Sequence, residues 1–232
     1  MRLPSAAPPA AFIEFREVPT PDWTCDVRAS AETYHKGMAR HCCDLTFRSK
    51  TLCITHVPAL STHDHYLILR DIFCALCGLR GAPLLHASSV DFEGRAVIFC
   101  GVSGTGKTTI SRLLSARHQV INDEINWLQC SASGFTVVNQ PFWRLKDTPE
   151  PSLPLASIYL LEQAETCEVR KLDTPLDAMG LLLCAPYGTE DPALGVRTAA
   201  TMTLATAAPL KRLRFSLDSE EIDQTIRRDL SA

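Results

Sequence analysis

The sequence predicts an α/β fold on a mixed, partly antiparallel sheet, with a small β-rich portion ahead of it. Three observations carry this expectation. Short apolar runs of strand length alternate with helical patterns along most of the chain. The glycine-rich segment Gly101-Val-Ser-Gly104-Thr-Gly106-Lys107-Thr108 stands between a buried apolar run and a helical one. The strand that feeds this segment is preceded by another, with only Asp91-Phe-Glu-Gly94 between them. A connection that short forces an antiparallel pair, because a parallel pair needs a crossover of about a dozen residues or more.

Taken in order, residues 1–11 read as a loose leader of prolines and alanines. Phe12 to Glu17 alternates as a strand, and Thr46 to Val57 reads as one or two more. From His65 to Leu79 apolar residues recur at helical spacing until Gly78 and Gly81. Leu84–Val90 and Arg95–Cys100 form the expected hairpin, and Thr108–Ala116 the helix after the glycine loop. His118–Asn122 is a short strand ending at Asp123-Glu124, and Ile125–Leu128 resumes an extended pattern. Phe135–Val138, Ser157–Leu161 and Leu210–Phe215 read as strands. Pro175–Leu183, Leu194–Ala207 and the segment from Ser219 onward read as helices, the last with Glu220 and Glu221 in its first turn. The proline-rich stretch from Asp147 to Pro154 is a loop. Two domains follow: a β-rich portion over 1–65 and the glycine-loop domain over 66–232.

Composition narrows the function classes. The chain of 232 residues is 46% apolar and 21% charged, the balance of a globular protein able to bury a core without staples. A net charge of -3 provides no global basic field, so a nucleic-acid partner is not expected. No run approaches the roughly 18 apolar residues of a membrane span, and the N-terminus lacks a signal-peptide pattern, so a cytoplasmic location is expected. The ten cysteines are scattered, which suits reduced, buried thiols better than a disulfide framework. Cys74-Ala-Leu-Cys77 has CxxC spacing but lies inside the helical pattern, so packing is favoured over metal or redox work.

The glycine segment matches G-x-x-x-x-G-K-[ST] in full. Glycines let consecutive N–H groups curl toward phosphate oxygens, and the helix N-terminus adds its positive end. Gly101, Ser103, Gly104, Thr105, Gly106, Lys107, Thr108 and Thr109 are the expected nucleotide-binding set. Lys107 would reach the β- and γ-phosphates and the Thr108 hydroxyl would ligate magnesium, so ATP and Mg2+ are the expected cofactors. Phosphoryl transfer also needs acids. Asp123 and Glu124 stand at the end of the strand after the loop's helix, and adjacent residues on an extended chain point to opposite sides, which suits two different tasks. His86 lies on the strand paired with the loop-bearing one. His63-Asp64-His65 has ligand chemistry but sits where a helix begins, which favours capping. Arg144 and Lys146 read as solvated surface beside the proline loop, and Arg112, Arg117, Arg197, Arg212 and Arg214 are not separable by pattern.

The stretch from His86 to Thr108, with Val120-Ile-Asn-Asp123-Glu124 after it, resembles the catalytic core of HPr kinases over roughly residues 66–130. The resemblance implies the phosphoenolpyruvate-carboxykinase-like P-loop fold. It implies Asp123 as the base toward an acceptor serine, His86 near the transferred phosphate, and Glu124 as a magnesium-side acid where that family carries a second aspartate. The N-terminal portion is shorter than the family's usual separate domain, and the family's glycine-containing phosphorolysis signature is absent from the sequence. Compact relatives of this type include kinases that phosphorylate a serine of a lasso-peptide precursor. The expected activity is therefore ATP-dependent transfer to a serine of a peptide or protein, with self-assembly left open. A kinase for a small molecule such as free serine, and a non-catalytic nucleotide-binding regulator or maturation scaffold, stand as alternatives.

Overall fold

The computed structural model describes residues 12–19, 27–29, 33–38, 40–46, 51–79, 82–138, 152–172, 179–184 and 194–232. The expected leader over 1–11, most of the proline-rich loop, Arg144, Lys146, and the side chains of Cys74, Cys77 and Arg197 lie outside the described residues. So do residues 175–178 of the helix expected over 175–183, whose later part ends in a 3-10 turn at Leu182–Cys184. The chain divides into two compact units, Met1–Gly81 with Tyr187–Val196, and Ala82–Pro186 with Arg197–Ala232.

In the first unit, β1 (Phe12–Glu17), β2 (Val27–Ala29), β3 (Thr33–Gly37), β4 (His41–Thr46) and β5 (Thr51–His56) form a five-stranded sheet in the order β1-β5-β4-β3-β2. Only β1 and β5 pair in parallel. Side chains alternate across a strand, so Cys43 and Leu45 of β4 join Leu52 and Ile54 of β5 in one cluster, closed by Ile68 of helix α1 (Thr62–Leu79). The start of α1 is a capping box. Asp64 accepts the Ser61 N–H at 2.8 Å and its hydroxyl at 2.7 Å, while the Asp64 N–H donates to Ser61 Oγ at 3.1 Å. The Ser61 hydrogen bonds hold the Asp64 carboxyl below the usual carboxylate range, so capping is what this aspartate does.

The second unit is built on β6 (Leu84–Phe92), β7 (Arg95–Cys100), β8 (Val120–Asn122), β9 (Ile125–Ser131), β10 (Gly134–Val138), β11 (Leu153–Gln163), β12 (Glu168–Lys171) and β13 (Leu210–Phe215). The order is β10-β9-β6-β7-β11-β13-β12, with β8 also on β6. Helix α2 (Lys107–Leu114) follows the glycine loop, and α3 (Leu194–Ala207) and α4 (Ser219–Leu230) flank β13 in sequence. β6 and β7 are joined at Glu93-Gly94, where both residues have positive φ, and pair antiparallel as the short connection requires. One face of the sheet carries Leu85, Ala87, Ile98, Cys100 and Ile158, packed with Leu204 of α3. The other carries Val97, Phe99, Tyr159, Leu213 and Phe215, covered by Ile110 of α2 and Ile222 and Ile226 of α4. Asp218 caps α4 by accepting the N–H groups of Glu220 and Glu221.

The expected α/β class, the phosphoenolpyruvate-carboxykinase-like P-loop fold, is corrected. The described chain is β-rich, about 45% strand against 28% helix, and its first unit is a five-stranded β assembly with its own core. The physical reason is local pairing. β3 with β4, β4 with β5, β6 with β7 and β9 with β10 close on their sequence neighbours through short turns, leaving few strands for helical crossovers. Strands β2, β3 and all but the last residue of β4, which alternation in the sequence did not reveal, complete the first sheet. Among the described residues no helix is long and apolar enough to cross a membrane.

Candidate functional site: a glycine loop with a buried lysine

The glycine loop leaves β7 at Cys100 and enters α2 at Lys107. Its curl is fixed by contacts that only glycine permits. A Cβ on Gly101 would stand 2.3 Å from Thr105 Oγ1, and one on Gly106 would stand 2.7 Å from Phe215 Cζ. Gly104 and Gly106 adopt φ of 84° and 101°. Thr105 closes the turn by donating its N–H and hydroxyl to the Val102 carbonyl, at 3.3 and 2.8 Å. Gln163 Nε2 donates to the Gly104 carbonyl at 3.1 Å, and Ser88 Oγ ties the Lys107 carbonyl to β6 at 2.8 Å.

Lys107 is buried, 8% exposed, and its ammonium donates to the Gly101 carbonyl at 2.8 Å and the Val102 carbonyl at 3.2 Å. Among the described residues no carboxylate lies within ion-pair distance of it. Neutral carbonyls satisfy hydrogen bonds but leave the charge uncompensated, which makes the loop an electropositive seat. Because N–H and C=O point to opposite sides of a trans peptide, the N–H groups of Val102 and Ser103 face away from the carbonyls that hold the lysine. Gly106 has no side chain to cap α2, so the helix start also keeps its N–H dipoles for an outside acceptor. Thr108 and Thr109, on the first turn of α2, are exposed, as is Ser103.

The acids and the histidine come together by strand register. Ala87 pairs with Cys100 on one side of β6, and His86 pairs with Ile125 on the other. His86 is therefore level with the first residue of the glycine loop, between it and the Asp123-Glu124 corner. The Ala87 N–H donates to the Glu124 carbonyl at 3.0 Å, and Asn122 Oδ1 accepts the Glu124 N–H at 2.9 Å, fixing that corner. His86 Nε2 lies 3.8 Å from Glu124 Oε2, both side chains partly exposed, while Asp123 is exposed. Beneath the corner, buried Asn126 accepts Ser89 Oγ at 2.6 Å and donates to the Ala87 carbonyl at 2.6 Å, locking β6 beside His86.

Two thiols lie under the loop. Burial and the hydrogen bond to Cys184 push Cys100 well above the usual thiol value; the bond from Cys100 draws Cys184 below it despite burial. The Lys107 charge acts on both in the lowering direction, so its field extends into the core. Beside the loop, a cleft of about 600 Å³ is lined by Val102, Thr105, Leu160, Met179, Leu183 and Arg212. Exposed apolar side chains at Val102, Met179 and Leu183 rim it. Arg212 is steered by Glu162, at 3.6 Å.

Sequence reasoning missed Ser88, Gln163, Asn126 and the cleft. Polar residues inside otherwise apolar strands were the available signal for Ser88 and Asn126. Nothing in the pattern marks Gln163, whose role depends on β11 lying beside β7. No protein-family model matches the chain, and no curated protein matches it either.

Proposed function

We propose that this chain is an ATP- and magnesium-dependent kinase that transfers the γ-phosphoryl group to a serine hydroxyl of a peptide or protein in the cytoplasm. The observation that carries the reading is the buried Lys107 ammonium, held by loop carbonyls alone at an uncapped helix start. A polyanion is what such a seat lacks. The resemblance to HPr kinases supports the same reading, as does the grouping of Asp123, Glu124 and His86 at the level of Gly101.

Each residue then has a task. Lys107 and the loop N–H groups bind the phosphates, and the apolar cleft with Arg212 suits the nucleoside. The oxygen set of Thr108 and Glu124 fits magnesium, which would neutralise charge on the β- and γ-phosphates. Asp123, exposed at the corner that Glu124 ties to β6, takes the proton of the attacking serine hydroxyl as its oxygen bonds to the γ-phosphorus and the bridging P–O bond breaks. His86, oriented by Glu124, donates a hydrogen bond to the phosphoryl group in transit. The exposed position of Asp123 suits an acceptor that arrives on a peptide rather than one enclosed in a small pocket.

Incubation with radiolabelled ATP and candidate acceptors tests the reading. Wild type is expected to label a serine-bearing peptide or protein, and Asp123→Asn to bind nucleotide with unchanged affinity while losing at least ~100-fold in transfer rate. Transfer at the wild-type rate by Asp123→Asn refutes the base assignment. Tight nucleotide binding by wild type with no transfer to any serine points to a regulator, and labelling of free serine alone to a small-molecule kinase.

A further inference from the structure

The first unit carries a cluster that the kinase reading does not use. On β4, Cys42 and Asp44 are two residues apart and so share one face of the strand. On β3, His35 pairs directly with Asp44, which brings its imidazole to that same face. Their ligand atoms all lie within 4.8 Å of one another. His35 Nδ1 and Asp44 Oδ1 are 2.6 Å apart, and the Cys42 thiol donates to Asp44 Oδ2 at 3.5 Å. The opposite face of β4 carries Cys43 and Leu45 in the core, so the cluster is not a by-product of core packing. Cys42 is buried, His35 is 16% exposed at its side chain and Asp44 49%. The carboxylate is the solvent-facing member of the cluster and the thiol the buried one.

We propose that His35, Cys42 and Asp44 form a binding site for one divalent transition-metal ion of borderline softness, zinc foremost. The ligand chemistry selects the metal: a thiolate disfavours magnesium and calcium, while one sulfur, one imidazole nitrogen and one carboxylate oxygen suit zinc or cobalt. Zinc ligands at tetrahedral angles stand about 3.6 Å apart, so the side chains close on the ion by small rotations. Three protein ligands leave a fourth position for water. Binding takes the proton of the Cys42 thiol into solvent, so one ion enters and one proton leaves. The ion bridges β3 and β4, and by binding the folded state alone it stabilises this sheet.

The test uses the full, untagged chain stripped with a chelator and titrated with Zn2+ or Co2+ alone. The site predicts one ion per chain and release of one proton per ion in calorimetry across buffers. It also predicts a thiolate-to-cobalt charge-transfer band with a tetrahedral ligand-field envelope. Cys42→Ser is expected to abolish the charge-transfer band, and Cys42→Ser and Asp44→Asn each to weaken binding at least ~10-fold. Cys130→Ser, which removes an exposed thiol in the other unit, is expected to leave both unchanged. Absence of stoichiometric binding by wild type at micromolar metal overturns the proposal without any variant. So does a charge-transfer band that survives Cys42→Ser, or one lost equally in Cys130→Ser. Nucleotide binding by the glycine loop is scored separately, and neither result bears on the other.

Discussion

Alanine at Gly106 and alanine at Gly104 differ in one respect, and the difference measures how tightly the glycine loop is pressed onto the core. Both glycines have positive φ, 84° at Gly104 and 101° at Gly106, so either substitution incurs the left-handed penalty of about 1–2 kcal/mol. Around a Cβ at Gly104 there is nothing within 4 Å, whereas a Cβ at Gly106 stands 2.7 Å from Phe215 Cζ. Phe215 is 2% exposed and belongs to the cluster with Phe99, Tyr159 and Ile110, so its ring cannot swing into solvent. Overpacking of this kind costs about 1–3 kcal/mol. Gly104→Ala is therefore expected to lose about 1–2 kcal/mol in urea denaturation and Gly106→Ala about 2–5 kcal/mol. The double variant Gly106→Ala with Phe215→Leu should recover part of the gap, because the clash and the ring are coupled. Equal losses for the two single variants, or no recovery in the double, would refute the claim that Phe215 sets the height of the loop.

Lys107→Met is expected to raise thermal stability, because it removes a buried cation that only carbonyls hold, and, on the proposed function, to weaken ATP–magnesium binding at least ~10-fold. A fall in stability would mean that its bonds to Gly101 and Val102 are structural. At Asp223, burial opposes ionisation, but hydrogen bonds from Arg227 and His118 outweigh it and hold the carboxyl below its ordinary value. That stability is present above the unfolded value near 3.8 and is lost as pH falls through the lower folded value. Urea midpoints taken from about pH 5 to about pH 3 should therefore fall more steeply for wild type than for Asp223→Asn. Tyr159 donates to Asp229 Oδ2 at 2.6 Å, and Lys211 holds the same carboxylate at 2.8 Å. Tyr159→Phe should cost about 1.5–3 kcal/mol in chemical denaturation, as for a hydrogen bond to a charged group. Burial, with the Asp229 bond adding, pushes the Tyr159 phenol above its ordinary range, so its ultraviolet titration should coincide with alkaline unfolding rather than precede it.

What the sequence made legible was local. The antiparallel partner of β7 followed from a four-residue connection, and α3 over Leu194–Ala207 and α4 from Ser219 followed from periodicity and first-turn acids. The fold class did not follow, because it rests on how many strands pair with immediate neighbours. β2 and β3 are short and carry polar residues such as Arg28, His35 and Lys36, which hide the alternation that betrays a strand. Once they are added to β4 and β5 the first unit becomes a β assembly, and the chain tips from α/β to β-rich.

The candidate site divides along the same line. Within Gly101–Thr109 the chain specifies its own curl: Thr105 closes on Val102, Gly104 and Gly106 supply positive φ, and Lys107 folds back on carbonyls five and six residues earlier. That chemistry is written in contiguous residues and can be read from them. The alignment of His86 with Gly101 depends on Ala87 pairing with Cys100, and the corner at Glu124 depends on Asn122 and on the Ala87 N–H. A slip of one residue in β6 would turn His86 to the opposite face and part it from Glu124. The Ser89–Asn126–Ala87 bonds oppose such a slip, since each buried polar group would lose its partner. Asn126 thus acts on the site without touching it. If the chain is the proposed kinase, Asn126→Leu should leave Lys107 and its loop intact while displacing His86, so nucleotide affinity should hold within about twofold as phosphoryl transfer falls. Loss of nucleotide affinity in step with transfer would place the coupling in the loop instead of in the register of β6.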